Sequence, residues 1–227
     1  MTRCARQFTN AARWAAAGLF LLVAGAARAQ DYSAAQTALF DTPHLENVAE
    51  PTTLRYAYIH GGSFDAAFRD RVDVIVTEVD ADGRKNVSFD YLSDKHRQEF
   101  PAVEGFRGNP LIMIFLQYDV DRMGERTGGS SHYFRNRIRE SFFERATTEA
   151  TTIEFGGRQI AATLVKVQPF LQDPNRVRFE AYAEKSYEFL LAPEVPGGIY
   201  RLRTVTPGAS AGQPLEENIL EFESAAP

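Results

Sequence analysis

Cysteine is almost missing from this chain: its 227 residues contain one, Cys4, and tryptophan also occurs once, as Trp14. Both stand in residues 1–29, a stretch with the three parts of a secretory leader. Arg3, Arg6 and Arg13 make a basic start, Trp14 to Gly25 an apolar run, and Ala27-Arg28-Ala29 a small-residue cleavage site. With that leader removed on export, the working chain carries no thiol. A disulfide, a thiolate nucleophile, a cysteine-ligated metal and lipid attachment to an N-terminal cysteine are then excluded. An oxidising compartment does not demand disulfides of a domain of ~200 residues, which buries about 70% of its surface.

Long apolar runs are also scarce. A transmembrane helix takes about 20 apolar residues. The leader's run is shorter, and the best later candidate, Leu111–Leu116, has the size of a core segment. No transmembrane segment is therefore expected in the mature chain. Positive charge is in short supply as well. The leader takes four arginines and no acid with it, which moves the net charge from −5 to −9. An acidic domain suits neither nucleic acid nor an anionic lipid surface as a non-specific partner, since both need a basic face. The expected location is periplasmic or secreted.

What is present reads mainly as strands. Residues 30–51 are expected to hold a short helix, Asp31–Phe40, and a Pro-containing linker. From residue 52, apolar residues alternate: Leu54, Tyr56 and Tyr58, then Val72, Val74 and Val76, then Val87, Phe89 and Tyr91. Asp80-Ala81-Asp82-Gly83 is a hairpin turn, its Asp-Gly pair supplying positive φ. Asn109-Pro110 opens a helix whose apolar face is Ile112, Leu116, Val120 and Met123, with a break expected over Gly124–Gly129. Ser130 or Ser131 caps a second helix with the stripe Phe134, Ile138 and Phe142. Strands return at Thr151–Phe155, Arg158–Val167, Ser186–Leu191, Gly198–Val205 and Asn218–Phe222, and residues 224–227 read as a frayed tail. Strands around a helical insert predict one α+β domain over 52–223. The architecture expected is an antiparallel, curved half-barrel-like sheet of about eight strands with a two-helix insert. In its order of elements that arrangement resembles the periplasmic lipoprotein-carrier proteins.

Motifs for catalysis are weak. Gly208-Ala209-Ser210-Ala211-Gly212 has the G-x-S-x-G spelling, but Pro207 precedes it and no histidine follows His132, so it reads as a loop. Asp80-x-Asp82-Gly83 lacks the spacing of a calcium loop, and Arg84 occupies a ligand position. His44, His60, His96 and His132 never pair at helical or strand spacing, so no local metal site is readable. No cofactor is implied. Carboxylates such as Asp90, Asp119 and Asp121 are plentiful, yet no spacing singles out an acid/base pair for a hydrolase.

The most unusual stretch is Gly128–Arg139. A glycine pair runs into a helix start that bears Tyr133, Arg135, Arg137 and Arg139, a concentrated basic patch in an acidic protein. These residues are candidates for holding an anionic head group, with the strand aromatics Tyr56, Tyr58 and Tyr91 lining an apolar cavity for a tail. The plainer reading pairs the arginines with Asp119, Asp121 and Glu125 and puts the aromatics in the core. The strings Phe106-Arg107-Gly108-Asn109-Pro110, Thr127-Gly128-Gly129-Ser130, Tyr133-Phe134-Arg135-Asn136-Arg137 and Val195-Pro196-Gly197-Gly198-Ile199-Tyr200 resemble those of an uncharacterised family of exported Gram-negative bacterial proteins. That resemblance implies a compartment and a shared domain, without an activity. Three functions are carried forward: a binding or carrier domain for an amphipathic, lipid-like ligand; a cell-envelope interaction or assembly factor; and a carboxylate- or histidine-dependent hydrolase.

Overall fold

The computed structural model describes residues 32–210 and 212–227; the expected export leader, residues 1–29, lies outside them. Among the described residues, nine strands form one open antiparallel sheet, giving an α+β fold. The strands are β1 (Thr52–Gly61), β2 (Phe68–Val79), β3 (Lys85–Tyr91), β4 (Val103–Phe106), β5 (Thr147–Phe155), β6 (Arg158–Val167), β7 (Ser186–Leu191), β8 (Ile199–Thr206) and β9 (Glu216–Ala226). Their order across the sheet is β4-β3-β2-β1-β9-β8-β7-β6-β5. The first and last strands meet in the middle, and β4 and β5 form the two edges. The helices α2 (Leu111–Thr127) and α3 (Ser131–Glu144) lie between β4 and β5 in the chain. An insert that joins opposite edges must cross a face of the sheet, and here it covers the core. No helix of the described residues is long and apolar enough to cross a membrane.

Alternation decides which side chains enter that core. Leu54, Tyr56 and Tyr58 of β1, Val72, Val74 and Val76 of β2, and Tyr187, Phe189 and Leu191 of β7 are all buried. Opposite them stand Ile112, Phe115, Val120 and Met123 of α2 with Phe134, Ile138 and Phe142 of α3. A smaller cluster of Ile153, Ile160, Ala162, Leu190, Ala192 and Val195 is separate from this one. The hairpin turn forms as expected: Asp80 Oδ1 accepts from the N–H groups of Asp82 and Arg84, and Gly83 has φ 73°.

Several boundaries differ from the sequence reading. Helix α2 does not break at Gly124 but runs to Thr127, and Gly128 ends it at φ 65°. Gly124 is tolerated inside the helix because its bare Cα admits α3: a Cβ there would sit 2.9 Å from Ser131 Oγ. Strand β5 begins at Thr147, four residues early, and β4 was not foreseen; neither segment shows a clear apolar period. The tail is not frayed. Ser224, Ala225 and Ala226 pair with Arg55, Leu54 and Thr53. The expected first helix is one short turn, α1 (Ala34–Gln36), capped by Ser33 and continued by a wide turn over Thr37–Asp41. The linker that follows is a packed strap: His44, Leu45 and Val48 are buried, and Asn47 Nδ2 donates to the carbonyls of Pro193 and Val195.

Candidate functional site

Sheet register builds a polar row through one end of an otherwise apolar interior. His60 of β1 pairs with Asn218 of β9, which pairs with Thr204 of β8, which pairs with Tyr187 of β7. All four side chains are buried. The neighbouring row, Tyr58–Leu220–Leu202–Phe189, is almost wholly apolar. Asn218 stitches the polar row together. Its Oδ1 accepts from Tyr58 Oη at 2.8 Å and lies 2.7 Å from His60 Nδ1, while its Nδ2 reaches Thr204 Oγ1 at 3.3 Å.

Helix α2 brings charge onto this row. Lys185, fully buried, donates to Asp119 Oδ1 at 2.6 Å and to Glu216 Oε2 at 3.4 Å. Tyr187 Oη donates to the other oxygen of Asp119 at 2.6 Å. Glu216 also accepts from Arg122, and Arg122 and Arg126 share Asp65. Three cations, Lys185, Arg122 and Arg126, thus face three carboxylates, Asp119, Glu216 and Asp65. Burial pushes the Glu216 carboxyl up, but Lys185 and Arg122 outweigh it and hold the group below the usual glutamate range. Burial likewise raises Asp65, and Arg126 and Arg122 more than reverse it. Burial, then the Asp119 charge, pushes the Tyr187 hydroxyl well above its ordinary value, so it stays a donor.

The network meets the surface at a pocket of about 560 Å³ between the start of β2 and the last turns of α2. Lys95, His96, Arg122 and Arg126 stand around it, with the acids Asp65 and Glu125. Its wall is Phe68, whose ring stacks with His96 at 3.9 Å between centroids and with His60 at 5.0 Å. Lys95 makes no ion pair with any described residue. Buried His60 there meets exposed Asp65: its Nε2 lies 3.8 Å from Asp65 Oδ2.

The sequence-predicted site residues do not form one site: Tyr58 and Tyr91 meet in the core, Tyr133 and Arg137 meet at Asp173, and the two groups are separate from the pocket lining. Tyr56, Tyr58 and Tyr91 are fully buried among other rings: Tyr56 is edge-on to Phe222, Tyr91 is edge-on to Phe100, and Tyr58 stacks on Phe68 at 5.7 Å. Tyr58 is the one member of that set that joins the polar row. Tyr133 Oη and Arg137 Nε both donate to Asp173, whose side chain is sealed from solvent. Arg137 also pairs with Glu140, and Arg135 donates twice to Gln117 Oε1. Arg139 is exposed and forms no ion pair with a described residue. The partners are therefore Asp173, Glu140 and Gln117, not Asp119, Asp121 and Glu125. A pocket of about 420 Å³ does touch the glycine pair, lined by Tyr133 and Arg178 among others, but not by Arg135, Arg137 or Arg139.

Residues missed by sequence reasoning are His60, Asp65, Lys95, His96, Arg122, Arg126, Lys185 and Glu216. The one readable trace was Asp119, an acid inside an apolar helical face.

No protein-family model matches the chain, and no curated protein matches it in sequence. Solved structures that resemble it include two from bacteria. Lipoprotein LppX of Mycobacterium tuberculosis is 11% identical with a TM-score of 0.31, covering 80% of this chain and 90% of that one. A LolA superfamily protein of Nitrosomonas europaea is 8% identical with a TM-score of 0.22, covering 84% and 92%. Nothing about function follows from likeness at this level.

Proposed function

We propose that the domain is a binding module for an amphipathic anion, acting outside the cytoplasm. The observation that carries this reading is the pocket at Phe68, where a charged rim meets an aromatic wall. Lys95 and Arg126, with Arg122 beside them, would hold a phosphate or carboxylate by charge-assisted hydrogen bonds. Ala66, Ala67 and Phe68 would take the first carbons of the apolar part. The amphipathic class is the one expected from sequence, but the proposed site moves from the α3 arginines to the α2–β2 pocket. Export remains a proposal resting on residues 1–29.

The test is a calorimetric titration with dodecyl phosphate and with dodecanol, repeated on the double variant Lys95→Ala/His96→Ala. Saturable binding of the phosphate is expected, weaker by at least about tenfold for the alcohol and for the variant, the loss of one charge-assisted contact. Equal affinity for both compounds, or no loss in the variant, would remove the reading.

A second reading is favoured by the filled sheet interior: an envelope assembly factor without a small ligand. Edge strand β5 pairs with β6 on one side and offers the backbone groups of its other side to a partner strand. In-cell crosslinking from a photoreactive residue at Thr151 would capture that partner, and capture of none would count against it.

A further inference from the structure

Two polar atoms of the network, His60 Nε2 and Arg122 Nε, are left without a hydrogen-bond partner among the described residues. His60 is 2% exposed, and its Nε2 makes no hydrogen bond among the described residues. The other ring nitrogen explains which tautomer is present. Asn218 donates Nδ2 to Thr204 Oγ1 at 3.3 Å and turns its amide oxygen, an acceptor, to 2.7 Å from His60 Nδ1. Nδ1 therefore carries a proton, and in that tautomer Nε2 presents a lone pair. That lone pair faces acid. One ligand atom each from His60, Asp65 and Glu216 lie within 4.8 Å of one another.

An imidazole lone pair and two carboxylates repel one another unless something positive stands among them. Part of that role is filled by Arg122 and Arg126 at Asp65, and by Arg122 and Lys185 at Glu216. None of these cations reaches His60 Nε2. The arrangement matches a metal-binding imidazole in a second respect: such rings donate their other N–H to a carbonyl or carboxylate, which fixes their orientation. Here the Asn218 amide does so.

We propose that His60, Asp65 and Glu216 form a site for one divalent transition ion of the zinc class. Imidazole with two carboxylates suits such an ion better than magnesium or calcium, which take oxygen alone. Three protein ligands leave the fourth position open toward the pocket. The ion must displace both Arg122 and Arg126 from Asp65, which stands on the exposed β1–β2 connection. Affinity is therefore lower than in a thiolate site, and Arg126 acts as a competitor. The inference does not depend on the amphipathic ligand, because metal binding is measured without one and ligand binding in chelator.

The experiment uses the purified protein, stripped with EDTA and titrated with zinc chloride and, separately, magnesium chloride, with elemental analysis for stoichiometry. One zinc per chain is expected, with no magnesium isotherm. His60→Ala and Asp65→Asn should each weaken binding at least about tenfold, the scale at which even supporting residues act. Arg126→Gln should strengthen it severalfold, a gain that a ligand role for Arg126 or a mere salt-bridge network does not give. His60→Ala opens a buried position, so Asp65→Asn, on an exposed side chain, keeps the test decisive if the first variant misfolds. The imidazole ¹⁵N signal of His60 should shift on zinc addition. Zinc binding that survives both ligand variants, stoichiometry well below one, or no binding at millimolar zinc overturns the proposal.

Discussion

Replacing Lys185 by methionine isolates what the buried cation does. Methionine is unbranched and fills similar space, so packing is largely kept and the charge is lost. Lys185 has 0% exposure, with Asp119 at 2.6 Å and Glu216 at 3.4 Å. After the change Asp119 retains one donor, Tyr187 Oη, and Glu216 retains Arg122 at 3.2 Å. Two carboxylates then stand buried with too little positive charge. Breaking a buried pair from one side costs about 3–5 kcal/mol. For a domain of this size each kcal/mol is about 2–4 °C in Tm, so scanning calorimetry at neutral pH should show a fall of roughly 6–20 °C. Adding Asp119→Asn to the methionine variant removes one stranded charge and should recover about 1–3 kcal/mol as a coupling energy. The pH dependence has a definite sign. Glu216 is held below its ordinary value in the fold, so its contribution is present above the unfolded value and is lost as pH falls through the folded one. Without Lys185 the group is held low less strongly, so acid removes less from the variant than from the parent. The gap between the two must narrow on acidification. A variant that melts with the parent, or a gap that widens in acid, would show that Lys185 is not the counter-charge of this end of the core.

Three further outcomes test other parts of the fold. Gly197→Ala should destabilise by about 2–5 kcal/mol in urea titrations, because Gly197 has φ 78° and its added Cβ would sit 2.5 Å from Leu54 Cδ1 in the sealed core. Arg137→Ala should cost about 1–3 kcal/mol, since Asp173 would keep only Tyr133 and local N–H donors, yet it should leave dodecyl phosphate affinity unchanged. Burial pushes the His44 imidazole below its ordinary 6.5, outweighing the hydrogen bond to the Ala38 carbonyl. The unfolded chain then takes up a proton first, so stability declines as pH drops through 6.5 and on toward the folded value, and His44→Gln should flatten that stretch of the stability profile.

Local rules made part of the fold legible. Alternation at Leu54, Tyr56 and Tyr58 found β1 and its inward face, and Asp80–Gly83 carried a turn in its own chemistry. The Asn109-Pro110 helix start was readable too, because the Asn109 side chain accepts from the N–H of Leu111. Edges were not. Thr147–Thr152 has no apolar period, because an edge strand owes its pairing to backbone on one side only. The site was illegible for a different reason. His60 and Asn218 are 158 residues apart in sequence, and only sheet register makes them neighbours. Likewise nothing near Arg137 announces Asp173, 36 residues on, so a row of arginines looked like an open anion site when its central member was already paired.

If an acyl chain is bound, chain length should reveal how much of it the protein covers. Each methylene taken from water is worth about 0.8 kcal/mol, close to fourfold in affinity. A carrier with a hollow sheet would keep gaining that factor as the chain grows. Here the inward faces of β1, β2 and β7 are closed by Tyr56, Tyr58, Val74, Phe189 and the helices packed on them. Only the pocket beside Phe68 is open at this site, and it is about 560 Å³ with a charged rim. Affinity for alkyl phosphates should therefore climb over the first few carbons and then level off. The check is a titration series from butyl to hexadecyl phosphate, each kept below its aggregation threshold. A steady gain through the longest chains would mean that the core opens to admit them, and the recognition surface would then be the sheet interior rather than the place where the polar row reaches solvent.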